Sequence, residues 1–234
     1  MNRYKIKKTG SSLSVLLNSF STVAWLIVIT IFISLIGRII FAFFPDYIDY
    51  LALKPSNIMQ GKFLWTLITH MFIHSGIGHL LINMFVLFSL GSLCERIIGR
   101  KRFLWFYILS GIFAGILSVA LSAQFGSTLW GERIFGSPDM FMVGASGAIF
   151  AIAGLYVMLL PKLKFMIIFL PFFSLPAYIM VPLVLFVVWA ISIFANWPIG
   201  NVAHFGGFLA GIVYGLFLRM KYQRKVAKLQ KMFR

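Results

Sequence analysis

Residues 144–154 read GASGAIFAIAG and residues 203–215 read AHFGGFLAGIVYG. In the second stretch Gly207, Gly211 and Gly215 recur at four-residue steps, and His204 lies on the same helical stripe, three residues before Gly207. In the first, Gly147, Ala151 and Gly154 form a matching small face. Small residues at this spacing let helix backbones approach closely. The two segments are therefore expected to pack tightly, and that contact brings Ser146 near His204.

The surrounding chain is a membrane sequence. Of its 234 residues 61% are hydrophobic and 11% charged, with a mean hydropathy of +0.96. Soluble domains average about 45–50% apolar and about 25% charged. The aromatic content of 17% excludes a disordered chain. A net charge of +16 invites a nucleic-acid reading, but a basic DNA-binding surface needs a soluble scaffold, so no nucleic-acid partner is expected. Cys94 is the only cysteine, which excludes an intrachain disulfide and any cysteine-rich metal site.

Hydropathy divides the chain into a basic segment 1–22, an all-α membrane domain 23–220 and a basic tail 221–234. Six transmembrane spans are expected at about 20 residues each: Val23–Phe44, Gly78–Ile98, Phe103–Gln124, Gly144–Leu160, Ala177–Phe194 and Ala203–Met220. Residues 45–77 and 125–143 read as long loops. The proline-broken stretch before Ala177 reads as an interfacial or re-entrant segment, and the tail as a short surface helix. Arg38, in the outer half of the first span, is expected to snorkel to the interface. Trp65 suits the headgroup region.

Of the 21 Lys and Arg residues, 17 fall in the N-terminal segment, the second–third loop with Arg96 at its start, the fourth–fifth loop and the tail from Arg219 onward. The opposite side holds Lys54, Lys62 and Arg133. The positive-inside rule then puts both termini in the cytoplasm, and the tail reads as an anchor beside anionic lipid. Short termini without an organelle-targeting presequence favour a prokaryotic plasma membrane.

This orientation puts the N-terminal ends of spans two, four and six in one leaflet, and the unusual polar residues sit at those ends. His79 and Asn83, four apart, share a face of span two. A serine hydroxyl becomes a competent nucleophile when an adjacent base takes its proton, and a neutral imidazole suits that task. Ser146 and His204 are the candidate catalytic pair. The Ser146 N–H, without an intrahelical partner, and the His79 and Asn83 side chains are candidate oxyanion donors. No Asp or Glu lies in the outer half of these spans, so a Ser–His dyad is expected rather than a triad. Phe150, one turn after Ser146, either stacks beneath the His204 ring or simply packs in the core. Ser146 alone could bond back to its own backbone, and His79 and Asn83 could be interhelical glue. His70 and His74 read as structural groups in the first loop. A metal site on His70, His74 and His79 lacks a carboxylate or thiol ligand and is not expected. Charges near the bilayer midplane or an internal repeat, which a transporter would show, are not seen in the sequence.

Together the pair His79/Asn83, the run Gly144-Ala145-Ser146-Gly147, and Ala203-His204 with Gly207 and Gly211 resemble the rhomboid family of intramembrane serine proteases. Trp65, His70, His74, Glu95, Arg96 and Gly99 also match, and the resemblance covers about residues 64–215. It implies a six-helix rhomboid-like bundle with a water-filled site below the outer surface. It implies Ser146 as nucleophile, His204 as base, and the Ser146 amide, His79 and Asn83 around the oxyanion. It makes span five and loop 195–202 a gate and cap. The implied substrates are single-pass or multi-pass membrane proteins in the bilayer, cleaved near the outer leaflet, with no cofactor. The rival reading is an inactive rhomboid-like protein that binds membrane clients. One departure is Thr66, where the family often has Arg after the tryptophan, and this puts the anchoring of the first loop in doubt.

Overall fold

A computed structural model describes residues 20–167, 170–195, 197 and 199–233. The expected N-terminal cations Arg3, Lys5, Lys7 and Lys8, and residues 196 and 198 of the expected cap, lie outside the described residues. The chain is mostly helical. Five helices are long and apolar enough to cross a membrane: α1 (Thr22–Phe43), α2 (Ile77–Ile98), α3 (Arg100–Phe125), α5 (Ala177–Phe194) and α6 (Asn201–Lys221). The chain is a multi-pass membrane protein.

The expected fourth span is present as a shorter apolar helix. Helix α4 runs Ser146–Leu159, 14 residues. At 1.5 Å per residue it is about 21 Å long, against roughly 30 Å of hydrocarbon. Gly144 and Ala145 precede it, because Gly144 has φ +120° and cannot continue a helix. The C-terminal end of α4 is level with the cationic end of the bundle, where the Gln230 side chain donates to the Leu159 carbonyl. By the same lengths α4 is about 9 Å shorter than the hydrocarbon is thick.

An all-helical reading is corrected at the proline-broken stretch. Strands β1 (Lys164–Ile167) and β2 (Leu170–Pro176) pair antiparallel, with Phe165 opposite Leu175 and Met166 opposite Ser174. Pro171 and Pro176 disfavour α-helical backbone in the residues before them. The tail does form an amphipathic helix, α7 (Gln223–Met232), whose Val226 is buried while Arg224, Lys225, Lys228 and Lys231 are exposed. Arg38 is exposed on α1.

The pairing of α4 with α6 is set by glycine. A methyl group added at Gly207 would overlap the Gly147 carbonyl, and one at Gly211 the Ala151 carbonyl. On the other side, one at Gly154 would overlap the Phe208 carbonyl. No side chain separates the two backbones along two turns. Helix α3 closes a third side with small residues: Ala114 lies against both Gly147 and Gly206. Helix α2 is interrupted by a π-helical turn at Leu87–Gly91. Such a turn leaves backbone groups outside the regular ladder, and the Tyr156 hydroxyl of α4 donates to the Leu90 carbonyl there at 2.7 Å.

Residues 45–77 are not an open loop. They fold into short turns at Pro45–Tyr50, Pro55–Met59, Thr66–Thr69 and His70–Phe72. A two-way bridge between Leu53 and Met142, and a bond from the Ser56 N–H to the Pro138 carbonyl, tie them to the segment leading into α4. Trp65 donates to the Tyr50 carbonyl, and Thr66 to the Phe63 carbonyl. Thr66 thus anchors this loop locally.

Replacing Gly211 with Leu is expected to lower unfolding stability by about 3 kcal/mol, the range of overpacked cores. Gly78→Ala, where an added methyl meets nothing within 4 Å, is expected to be neutral. Unfolding of the two variants in detergent checks the contrast.

Candidate functional site

His204 lies in the first turn of α6, where its N–H bonds to the Gly200 carbonyl. The glycine stripe presses this end of α6 onto the start of α4. His204 Nε2 is thereby 2.7 Å from Ser146 Oγ. The other ring nitrogen, Nδ1, is buried and has no hydrogen-bond partner among the described residues. Among the described residues no carboxylate orients the ring. Phe150 packs on it instead, with ring centroids 4.6 Å apart and planes 33° apart.

The first backbone bond of α4 runs from the Ile149 N–H to the Ala145 carbonyl at 3.1 Å. The N–H groups of Ser146, Gly147 and Ala148 precede that ladder, as helix-start amides do. Gly144 makes this start possible. Its φ of +120° is costly for any side chain, and a methyl there would come within 2.9 Å of His79 Cε1 and 3.1 Å of His79 Nε2. The edge of the His79 ring thus lies against the backbone that leads into Ser146.

His79, Asn83, Ser146 and His204 line one cavity of about 810 Å³. Asn83 is buried and donates one amide hydrogen to the His79 carbonyl, one helical turn back on its own helix. The apolar flank of the cavity is formed by α2 and α5, through Val86, Leu90, Met180, Val181 and Val184. Gly144 and Gly147 line it as well. Gly207 and Gly211 do not; they act from behind, through the helix contact.

His70 and His74 have structural partners. His70 Nδ1 is 2.8 Å from the Thr66 carbonyl, and the His70 carbonyl accepts the Gly144 N–H at 2.9 Å. Burial pushes the His70 imidazole down to about 4. Burial, with the neighbouring His79 adding to it, pushes His74 down to about 3. Both rings are neutral at physiological pH.

The rhomboid domain model matches residues 62–221, more than half of the chain. The chain belongs to the rhomboid family. This rhomboid is 31% identical over 172 residues to RHOMBOID-like protein 5 of Arabidopsis thaliana, a match covering 74% of the chain and 49% of that relative. It is 27% identical over 172 residues to rhomboid protease GlpG of Haemophilus influenzae, covering 74% and 79% respectively. To the putative rhomboid protease YdcA of Bacillus subtilis it is 28% identical over 169 residues, covering 72% and 74%. The match spans about half the length of the plant relative and about three quarters of the two bacterial ones. With relatives in plants and bacteria alike, they give no support to a prokaryotic source for this rhomboid.

Sequence reasoning missed two serines beside the site. Ser75 Oγ is 3.1 Å from His79 Nδ1. Ser34, buried in α1, is 3.0 Å from His74 Nδ1. A signal for Ser34 exists: Val23, Leu26, Thr30, Ser34 and Gly37 recur at three- and four-residue steps, the period of a helix face turned inward.

A Gly144→Ala variant is expected to lose about 1–2 kcal/mol from backbone strain. It is also expected to shift the ring resonances of His79 while leaving those of His204 near their original positions. Histidine-selective NMR and thermal unfolding measure both effects.

Proposed function

We propose that this rhomboid is an intramembrane serine endopeptidase that cleaves membrane-protein helices with a Ser146–His204 dyad. The 2.7 Å contact between His204 Nε2 and Ser146 Oγ, inside a cavity at the short end of α4, carries the reading. The two bacterial relatives above, named rhomboid proteases, support it.

The chemistry follows from the donors and acceptors in reach. His204 accepts the Ser146 hydroxyl proton at Nε2 as Oγ attacks the substrate carbonyl carbon. The carbonyl oxygen becomes an oxyanion, met by the Ser146 N–H and by the His79 and Asn83 side chains. The amine leaves with the proton from His204, and an acyl ester remains on Ser146. Water then gives a proton to His204 Nε2 and attacks the ester carbonyl; the C–Oγ bond breaks, the acid leaves, and His204 returns the proton to Ser146 Oγ. During each transfer the imidazolium is held by Phe150 packing and by its place in the first turn of α6, in place of a carboxylate.

The substrate is an apolar helix. The cavity joins polar groups at its Ser146 end to the apolar faces of α2 and α5, which suits a transmembrane segment whose unwound end reaches the serine. A helix shields its own carbonyls in backbone bonds, so helix-weakening residues near the cut site favour cleavage. The cationic end, where Arg102 lies 5.8 Å from the Tyr222 ring of the tail, is the cytoplasmic end by the positive-inside rule. That orientation puts both termini in the cytoplasm and Ser146 below the outer surface. An inactive client-binding role is disfavoured because both members of the dyad are present and in contact.

A fluorophosphonate is expected to label the purified protein at Ser146. Ser146→Ala and His204→Ala are expected to abolish labelling and cleavage, and Asn83→Ala to slow cleavage about a hundredfold because other donors remain. Equal labelling of wild type and Ser146→Ala would reject the nucleophile.

A further inference from the structure

We infer that Ser34, halfway along the first span, is a positioning residue for the nucleophile. It acts through a buried relay that runs from α1 through His74 to the backbone just before Ser146. The inference rests on the protease reading above and extends it to a helix that contributes nothing to the cavity lining.

The relay has three links, and each hydrogen can be assigned. The Ala145 N–H lies 3.4 Å from His74 Nε2. A backbone N–H only donates, so Nε2 accepts and carries no hydrogen of its own. The ring hydrogen is then on Nδ1, which lies 3.0 Å from Ser34 Oγ and donates to it. Ser34 passes its own hydrogen to the Phe72 carbonyl at 2.8 Å. Ser34, His74 and Ala145 are all buried, with relative exposures of 4%, 7% and 0%. A buried network whose members are all satisfied fixes geometry more firmly than isolated pairs do.

Three consequences converge on the reacting groups. The Ala145 N–H is engaged by His74, so it is not an oxyanion donor, and the Ser146 N–H is the first amide after it. Ala145 is held one residue before the nucleophile, so a rotation there swings Oγ relative to His204. The same His74 ring packs edge-on against His79, with centroids 4.9 Å apart. One imidazole thus steadies both the start of α4 and a proposed oxyanion donor, and Ser34 sets its tautomer. Without the hydroxyl, the Nδ1–H loses its acceptor and the ring is free to adopt the other tautomer, which opposes the Ala145 N–H. Misplacement of about 1 Å at a reacting group costs on the order of a hundredfold in rate.

Thr30 is the matched control. It lies one turn earlier on the same helix, is fully buried, and its hydroxyl has no hydrogen-bond partner among the described residues. Wild type, Ser34→Ala, Thr30→Val and Ser146→Ala are compared on one transmembrane substrate in proteoliposomes, with kcat and KM separated. Nitrogen-15 spectra of histidine-labelled protein report the tautomer of His74. The expected result is a kcat for Ser34→Ala lowered about ten- to a hundredfold, with KM unchanged because neither Ser34 nor His74 lines the cavity. Thr30→Val keeps its kcat. His74 is the neutral Nδ1–H tautomer in wild type and loses that preference in Ser34→Ala. A kcat for Ser34→Ala close to wild type, an equal loss in Thr30→Val, or a wild-type His74 found as the Nε2–H tautomer or the cation would each overturn the inference. The wild-type spectrum decides even if Ser34→Ala does not fold. Cleavage retained by Ser146→Ala rejects the protease reading alone, and the His74 spectrum still decides the relay.

Discussion

Two helix backbones in direct contact set everything else in this molecule. Where α4 meets α6, the Gly147 carbonyl occupies the space a side chain at residue 207 would need, and the Ala151 carbonyl does the same at residue 211. This contact sits in hydrocarbon, where no water drives helices together and close packing supplies the attraction. It also fixes the rotation and height of α6 on α4, and that alone decides whether an imidazole at residue 204 meets a hydroxyl at residue 146. The proposed chemistry therefore depends on residues that take no part in it.

The second determinant is length. A 14-residue helix cannot cross the bilayer, so one of its ends must lie at depth. The tail helix, through Gln230, and α2, through Leu90, hold the C-terminal half of α4. On the proposed reading, the N-terminal end, with its amides outside the ladder, is the one left inside. Polar backbone at that depth is tolerated only where protein or a wet cavity surrounds it. The folded first loop and the cavity beside Ser146 provide that surrounding.

Much of this was legible in the sequence because helix period and small-residue spacing are local patterns. The stripe from His204 to Gly215, the i,i+4 pair His79 and Asn83, and the stacking option at Phe150 are read from spacing alone. The outer spans were read to within about three residues because hydrocarbon thickness fixes their length. What was not legible depends on partners far apart in the chain. The shortness of α4 follows from the positive φ at Gly144, which no hydropathy window registers. The strand pair Lys164–Ile167 and Leu170–Pro176 looks, in composition, like any proline-broken apolar run. The roles of Ser34 and His74 require residues 34, 74 and 145 to meet, and only the packing of α1 on the first loop brings that about. The fold of residues 45–77 was hidden for the same reason: besides its local bonds, it is tied to 138 and 142, far along the chain.

The most direct test is a magnetic-resonance distance in lipid bilayers between a nitrogen-15 label on His204 Nε2 and a carbon-13 label on Ser146 Cβ. The account predicts a strong dipolar coupling, as a 2.7 Å contact between Nε2 and Oγ requires, and its loss when Gly211 is replaced by Leu. Absence of that coupling in the wild-type protein, or its persistence unchanged in Gly211→Leu, would contradict the claim that glycine packing of α4 on α6 creates the site.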